Sequence, residues 1–177
     1  PAGESKAFTV NIDAGQLNAG AYTGKLTFYN NTPTTPEVAI PVNLTVIGAP
    51  ALETVAALSF DELMAYQVES VQKAYTKEFE ITNSGSDKLE LTSISLAKGE
   101  EVTLEMYVSS FFGASWQPIE TVPMPLMLNA ADKAKLRVTV QPSGTITALA
   151  DDVIFTGNLA EVEHRVPVTA TVILPPA

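Results

Sequence analysis

Residues 38–50 read V-A-I-P-V-N-L-T-V-I-G-A-P, and residues 166–176 read V-P-V-T-A-T-V-I-L-P-P. Both stretches place apolar side chains at every second position, a period that is typical of a half-buried β-strand. Each has a proline near its start and another just past its end, and neither a strand nor a helix continues through the second proline. Each stretch is therefore predicted to be the last strand of a domain. The apolar faces consist of Val38, Ile40, Val42, Leu44 and Val46 in the first stretch and of Val166, Val168, Ala170, Val172 and Leu174 in the second.

The segments before these two stretches also recur in the same order. Residues 8–12 (F-T-V-N-I) align with residues 136–140 at an offset of 128, and Leu26 aligns with Val153 at an offset of 127. Pro41 aligns with Pro167 at an offset of 126. The offset shrinks by one residue in each intervening loop, where a change of length costs little. This internal repeat predicts that residues 1–48 are the last three strands of one β-sandwich and that residues 52–177 are a complete second copy, joined by a short linker at residues 49–51.

Short alternating segments separated by turn residues fill the chain, a pattern that favours an all-β, antiparallel sandwich. We find no convincing helix, and only residues 60–71 show a faint helical pattern. The phase of the apolar positions slips between Leu91 and Ile94, which predicts a β-bulge. The predicted strands lie near residues 6–12, 25–29, 38–47, 55–60, 75–83, 89–96, 102–108, 135–141, 153–156 and 163–174. The predicted core of the second copy contains Phe60, Phe79, Ile81, Leu104, Val138, Phe155, Val168 and Val172.

Several of these segments resemble a known group of domains. F-T-V at residues 8–10, G-A-Y-T-G at 20–24 and I-P-V at 40–42 resemble the end of immunoglobulin-like modules in large secreted bacterial proteins, and L-S-F at 58–60 with I-T-N-S-G-S at 81–86 resembles their front half. These are the choice-of-anchor D and hydin-type (ASH) domains, which are akin to the PapD and major-sperm-protein sandwiches. The resemblance covers most of the chain. It implies tandem immunoglobulin-like β-sandwiches that act as spacers, stalks or adhesion modules, secreted or on a bacterial cell surface.

Composition argues against several classes of partner. Twenty acidic residues against ten basic ones give a net charge of −10, which repels nucleic-acid phosphates and anionic lipids. No apolar run is long enough to span a bilayer, so we expect no membrane insertion. The chain has no cysteine, so it forms no disulfide and no thiolate metal site.

The sequence offers no catalytic constellation, and we expect no enzyme activity and no cofactor. His164 is the only histidine, and it stands between Glu163 and Arg165 at the start of a predicted strand, where a surface position is expected. Because calcium prefers oxygen ligands, Asp151, Asp152 and Asp87 are the candidate ligands for this ion. None of them has the spacing of a known calcium loop, and solvated turn carboxylates are the expected alternative.

Residues 111–128 are apolar and proline-rich, without a clean period. Phe111, Phe112, Trp116 and Met124 are the candidate partner or ligand surface, because an exposed tryptophan can stack on a sugar ring or on another protein. The alternative, which we favour, is that these side chains fill one end of the sandwich or cover an open edge.

The predicted function is a non-catalytic extracellular module that spaces, presents or attaches other domains of a larger repetitive surface protein. Its partners would be neighbouring immunoglobulin-like domains or other copies of the chain. Two alternatives remain open. One is a subunit of an extracellular filament that is assembled by strand exchange between chains. The other is an accessory module that binds carbohydrate or a cell-surface protein through residues 111–128.

Overall fold

The computed structural model describes residues 4–14, 17–65, 67–68, 71–111, 113–143 and 147–174. The chain divides into two compact units, Pro1–Gly48 and Ala49–Ala177. The described residues form β-strands and one short 3-10 helix, with no α-helix among them. The all-β, antiparallel prediction is thus confirmed. The faint helical pattern at residues 60–71 does not correspond to a helix at its start, because β-strand structure begins at Leu58 and continues to Met64.

Among its described residues the first unit contains one β-hairpin, formed by β1 (Gly20–Tyr29) and β2 (Glu37–Val46). The predicted strand near residues 6–12 is wrong, since these residues form no strand. Alternating side chains do not make a strand without a neighbouring strand to accept the backbone hydrogen bonds. The Phe8 ring instead packs on Phe28, with 4.9 Å between the ring centroids. The predicted strand at residues 25–29 is too short, because β1 already begins at Gly20.

The second unit is a sandwich of two five-stranded sheets. The sheet orders are β10-β9-β12-β7-β3 and β11-β8-β13-β14-β4, and a small separate hairpin joins β5 to β6. All neighbouring strands are antiparallel except β4 and β14, which are parallel. The strands are β3 (Leu52–Glu53), β4 (Leu58–Met64), β5 (Gln67–Val68), β6 (Val71–Gln72), β7 (Tyr75–Asn83), β8 (Leu89–Leu96), β9 (Val102–Ser110), β10 (Gly113–Pro118), β11 (Leu126–Leu128), β12 (Lys133–Val140), β13 (Ala148–Gly157) and β14 (His164–Ile173).

The core of this sandwich lies between the inward faces of the two sheets, as the alternation of apolar residues predicts. All eight predicted core side chains are buried. Among the described residues the buried polar side chains are Asn83 and Asp151, and both are hydrogen-bonded. The core is therefore apolar apart from two satisfied polar positions near its ends.

The predicted bulge in β8 is confirmed. Thr156 lies opposite Ser93 and Gly157 lies opposite Leu91, so Thr92 is the extra residue between two consecutive pairs. This insertion shifts the apolar phase by one position, which keeps both Leu91 and Ile94 buried.

Residues 111–128 are more regular than their sequence suggests. β10 pairs with β9, a 3-10 helix follows at Ile119–Thr121, and β11 pairs with the opposite sheet. The alternation is obscured because β10 is an edge strand without a buried face, while the chain between β10 and β11 buries Ile119 and Val122. The segment thus crosses from one sheet to the other and closes one side of the core.

Candidate functional site

The end of β7 carries a hydrogen-bonded node centred on the buried side chain of Asn83. Its Nδ2 donates to the carbonyl oxygens of Asp87 at 2.7 Å and Leu128 at 2.9 Å. Its Oδ1 accepts from the backbone N–H groups of Gly85 at 3.0 Å and Ala51 at 3.3 Å. One side chain therefore joins the turn after β7 to both the start of the unit and the end of β11.

Residues 49–51, predicted as a linker, are bonded to this same turn. The N–H of Ser84 donates to the Ala51 carbonyl at 2.9 Å, and the N–H of Ser86 donates to the Ala49 carbonyl at 3.0 Å. These bonds hold the backbone where the chain enters the second unit. The sequence does not predict this node, because N-S-G-S is typical of an ordinary turn and two of the partners of Asn83, Ala51 and Leu128, lie far away along the chain.

The outer face of the sheet β10-β9-β12-β7-β3 carries an aromatic and cationic cluster toward its β10 edge. The Arg137 guanidinium lies 4.4 Å from the centroid of the Trp116 ring, and the Tyr107 ring meets Trp116 edge-on at 5.3 Å. Arg137 also forms an ion pair with Glu105 at 2.7 Å. Register explains the cluster, because Arg137 lies directly opposite Glu105 and Trp116 lies directly opposite Tyr107. The guanidinium therefore covers part of the surface on which a sugar ring would stack.

The three described residues of the predicted partner surface have different surroundings. Phe111 is 98% exposed, Trp116 is half-buried on the outer face of its sheet, and Met124 packs against the core. Phe112 lies outside the described residues. The expectation that these side chains fill one end of the sandwich or cover an edge holds for Met124 and fails for Phe111, which follows the end of β9 and projects from the turn.

A groove of about 790 Å³ lies beside this cluster. Its lining includes Lys98, Glu105, Glu120 and Arg137. Because Glu105 and Arg137 neutralise each other, the groove offers no strong local charge for recognising an ion. Its chemistry is that of a mixed polar and apolar surface.

The rest of this face is a ladder of exposed ion pairs. Lys135 pairs with Glu78 at 2.6 Å, and Lys133 pairs with Glu80 at 3.4 Å. The hydrogen bond that Lys135 donates to Glu78 raises the pKa of Lys135. On the opposite sheet, hydrogen bonds to Glu163 and then to Asp152 raise the pKa of Arg165. Exposed pairs of this kind contribute little to stability, so these faces are best described as solvated sheet surfaces.

The calcium candidates are engaged with the protein itself. The buried Asp151 carboxylate accepts backbone N–H bonds from Lys98 at 2.9 Å, Gly99 at 2.9 Å and Asp152 at 2.8 Å. Asp152 pairs with Arg165, and Asp87 accepts the N–H of Lys88. Among the described ranges, no group of three acidic or histidine side chains is placed to hold a metal ion.

His164 begins β14, where its Nδ1 lies 2.6 Å from a carboxylate oxygen of Glu161 and its ring packs on Phe155. The histidine is half-buried rather than fully exposed. Its contacts are those of a side chain that covers the edge of the core.

No family model matches the chain, and no match is found among curated proteins. A solved protein of unknown function from Porphyromonas gingivalis W83 has a similar fold, with a TM-score of 0.50 and 17% identity over 88% of this chain and 67% of that one. This likeness supports the all-β fold alone. A family 123 glycoside hydrolase from Clostridium perfringens (TM-score 0.44, 8% identity, 73% and 28% of the two chains) and the VesB protease of Vibrio cholerae (0.37, 11%, 70% and 31%) are too distant to carry an argument.

In the part of the chain that the structure describes, no helix is long and apolar enough to cross a membrane.

Proposed function

We propose that this chain is a non-catalytic module of a larger extracellular protein, in which it spaces and presents other domains. The observation that carries the proposal is the parallel pairing of β4 with β14 in the second unit. The first long strand of this unit and its last strand lie side by side and run in the same direction. The chain therefore enters the sandwich at one end and leaves it at the other.

Contacts at both ends of β7 support this path. Where the chain enters, β3 pairs with Asn83 and Thr82. At the other end of β7, the Tyr75 hydroxyl bonds to the backbone of Met64, which pairs with Ile173 near the end of β14. The points of entrance and departure are thus separated by the length of a nine-residue strand, about 30 Å. A module with this geometry extends a chain of domains instead of folding it back.

The same pairing suits a protein that transmits force. A pull on the two ends of the unit draws β4 and β14 in opposite directions along their axes. All hydrogen bonds between the two strands are then loaded together in shear. A pull that separated the strands from one end would instead break the bonds one after another, at lower force.

The sheet orders support assignment to the immunoglobulin-like class. β3-β7-β12-β9 follows the order A-B-E-D of an immunoglobulin domain, and β8-β13-β14 follows C-F-G. The choice-of-anchor D or hydin-type assignment rests on this order together with the sequence resemblance. β10 and β11, inserted between β9 and β12, extend the two sheets beyond the basic seven strands.

Single-molecule force spectroscopy tests the proposal. We compare a pull through cysteines added at the two termini with a pull through Met64→Cys and Ile173→Cys, two exposed positions at the same end of the parallel pair. The chain has no native cysteine, so each attachment is specific. We expect one cooperative unfolding step for the second unit and a clearly higher force for the terminal pull. Equal forces in the two geometries would contradict the proposal.

The carbohydrate alternative has one observation in its favour, the Tyr107 and Trp116 rings at the sheet edge. It predicts glycan-array binding that is lost in Trp116→Ala and kept in Phe111→Ala, whose side chain lies outside the cluster. The spacer proposal predicts no glycan binding by either variant or by the parent. The filament alternative predicts fibres in electron micrographs of the full chain.

A further inference from the structure

The hairpin of the first unit (β1–β2, the first hairpin) has the same register as the hairpin that ends the second unit (β13–β14, the second hairpin). Leu26 lies opposite Ile40 in the first, and Val153 lies opposite Val166 in the second. The sequence repeat aligns Leu26 with Val153 and Ile40 with Val166. All eight pairs of the second hairpin correspond in this way to pairs of the first, from Ala21 opposite Thr45 to Phe28 opposite Val38. The two hairpins are therefore equivalent position by position.

Their surroundings differ. In the second hairpin, β8 pairs with the outer edge of β13, and β4 pairs in parallel with the outer edge of β14. The first hairpin is a two-stranded sheet, and no third strand pairs with either edge in the described part of its unit.

The difference is visible in the burial of equivalent side chains. Ile40 is 43% exposed, whereas Val166 is fully buried. Val10 is 45% exposed, whereas its counterpart Val138 is fully buried. Leu26 and Phe28 are half-buried, whereas Val153 and Phe155 are fully buried. The first hairpin thus carries the apolar pattern of a core strand pair without the strands that would cover it.

We propose that the outer edge of β2 binds an extended segment of another polypeptide as a parallel strand, in the register that β4 takes on β14. The contacts of the bound segment follow from the counterparts in the second hairpin. Leu58 lies opposite Val168, whose counterpart in the first hairpin is Val42, so the first apolar residue of the bound segment lies opposite Val42. Met64 lies opposite Ile173, whose counterpart is Ile47, so the segment ends opposite Ile47, which is 92% exposed.

The chemistry of the bound segment follows from β4. The inward residues of β4 are Leu58, Phe60 and Leu63, and the register shifts between Ser59 and Glu62 to admit one extra residue. The partner is therefore a strand of about seven residues with the apolar spacing of β4, whose main chain completes the edge of β2 while its side chains cover the apolar face. This inference rests on the equivalence of the two hairpins and is independent of the proposed spacer role.

A peptide of residues 55–65, which contains β4, is the probe. It is added to the full chain while hydrogen exchange is followed by mass spectrometry. We expect slower exchange in Gly20–Tyr29 and Glu37–Val46 and no change in the second unit, whose equivalent edge is occupied. A control peptide with Leu58, Phe60 and Leu63 replaced by serine should have no effect. If neither peptide slows exchange in the first hairpin, the proposal is overturned.

Cross-linking tests the register, since the native chain has no cysteine. In the second unit, Ser59 lies opposite Thr169 and Glu62 lies opposite Thr171. The counterparts of Thr169 and Thr171 in the first hairpin are Asn43 and Thr45. We expect Asn43→Cys to form a disulfide faster with the Ser59→Cys peptide than with the Glu62→Cys peptide, and Thr45→Cys to show the reverse preference. Equal rates in the four combinations would overturn the register.

The isolated full chain provides the last check. The proposal requires that the first hairpin exchange rapidly without peptide at every protein concentration. Protection that grows with protein concentration would show that a second copy covers this edge. Protection at all concentrations would show that the chain covers it itself. Either result would overturn the proposal.

Discussion

Gly85 lies directly against Ala49: a Cβ atom added at Gly85 would stand 2.3 Å from the Ala49 carbonyl oxygen. The same Cβ atom would stand 2.5 Å from the Ala51 nitrogen. Because backbone atoms surround this position, the turn after β7 accepts glycine and no larger residue without moving the start of the second unit.

We therefore expect Gly85→Ala to lower the free energy of unfolding of the second unit by about 1–3 kcal/mol, the usual effect of overpacking. Thermal or chemical denaturation measures this change. Gly24→Ala is the matched control, because a Cβ atom there meets no atom within 4 Å. Equal stability of Gly85→Ala and the parent would mean that Ala49 and Ala51 do not lie on the turn.

Asn83→Ala removes the side chain that joins four backbone groups at the end of β7. Because the carbonyl of Leu128 and the N–H of Gly85 lose their partners, we expect a loss of stability on the order of 2–4 kcal/mol. Asn129→Ala, at an exposed asparagine, should cost much less. Urea denaturation of the two variants distinguishes them, and similar midpoints would argue against the node.

Alanine substitutions at Phe79 and Phe111 test which side chains point into the core. Phe79 is a buried core residue and Phe111 is almost fully exposed. Phe79→Ala should lower stability by about 3–5 kcal/mol, because it leaves a cavity in the core. Phe111→Ala should leave the melting temperature within a degree or so of the parent, since exposed substitutions rarely matter. A Phe79→Ala variant as stable as the parent would mean that the wrong face of β7 is assigned to the core.

The Asp151 carboxylate provides a test of calcium binding. Because its oxygens accept three backbone N–H bonds, we expect Asp151→Asn to lower stability by about 1–3 kcal/mol, since an amide nitrogen cannot replace the second acceptor. This loss should be the same in calcium and in chelator. A melting temperature that rises with calcium in the parent and not in Asp151→Asn would make this carboxylate a calcium ligand.

The alternating segments of the second unit were predictable from sequence because each has one buried face. The strand predicted at residues 75–83 has the same bounds as β7, Tyr75–Asn83. The slip in apolar phase between Leu91 and Ile94 correctly predicted the bulge in β8. In these segments, the local pattern and the tertiary environment agree.

The predictions failed for segments whose structure depends on partners distant in sequence. Residues 6–12 alternate as well as any strand of the second unit, yet no described strand pairs with them. β1 begins at Gly20, five residues before the predicted strand at 25–29, because the backbones of Gly20 and Gly24 pair with Val46 and Val42 of β2. The cluster at Trp116 depends on the register between β10, β9 and β12, which sequence alone does not reveal.

Hydrogen exchange on residues 1–177 tests the central claim, that in the described part of its unit the first hairpin lacks the neighbouring strands that cover its counterpart in the second unit. The first and second hairpins have the same register, so each serves as the control for the other in one sample. We predict that the amides of Glu37–Val46 exchange at least about a hundredfold faster than those of His164–Ile173. The second hairpin is covered on its face and paired at both edges, whereas no third strand pairs with the first hairpin in the described part of its unit. Equal protection of the two strands would contradict the account.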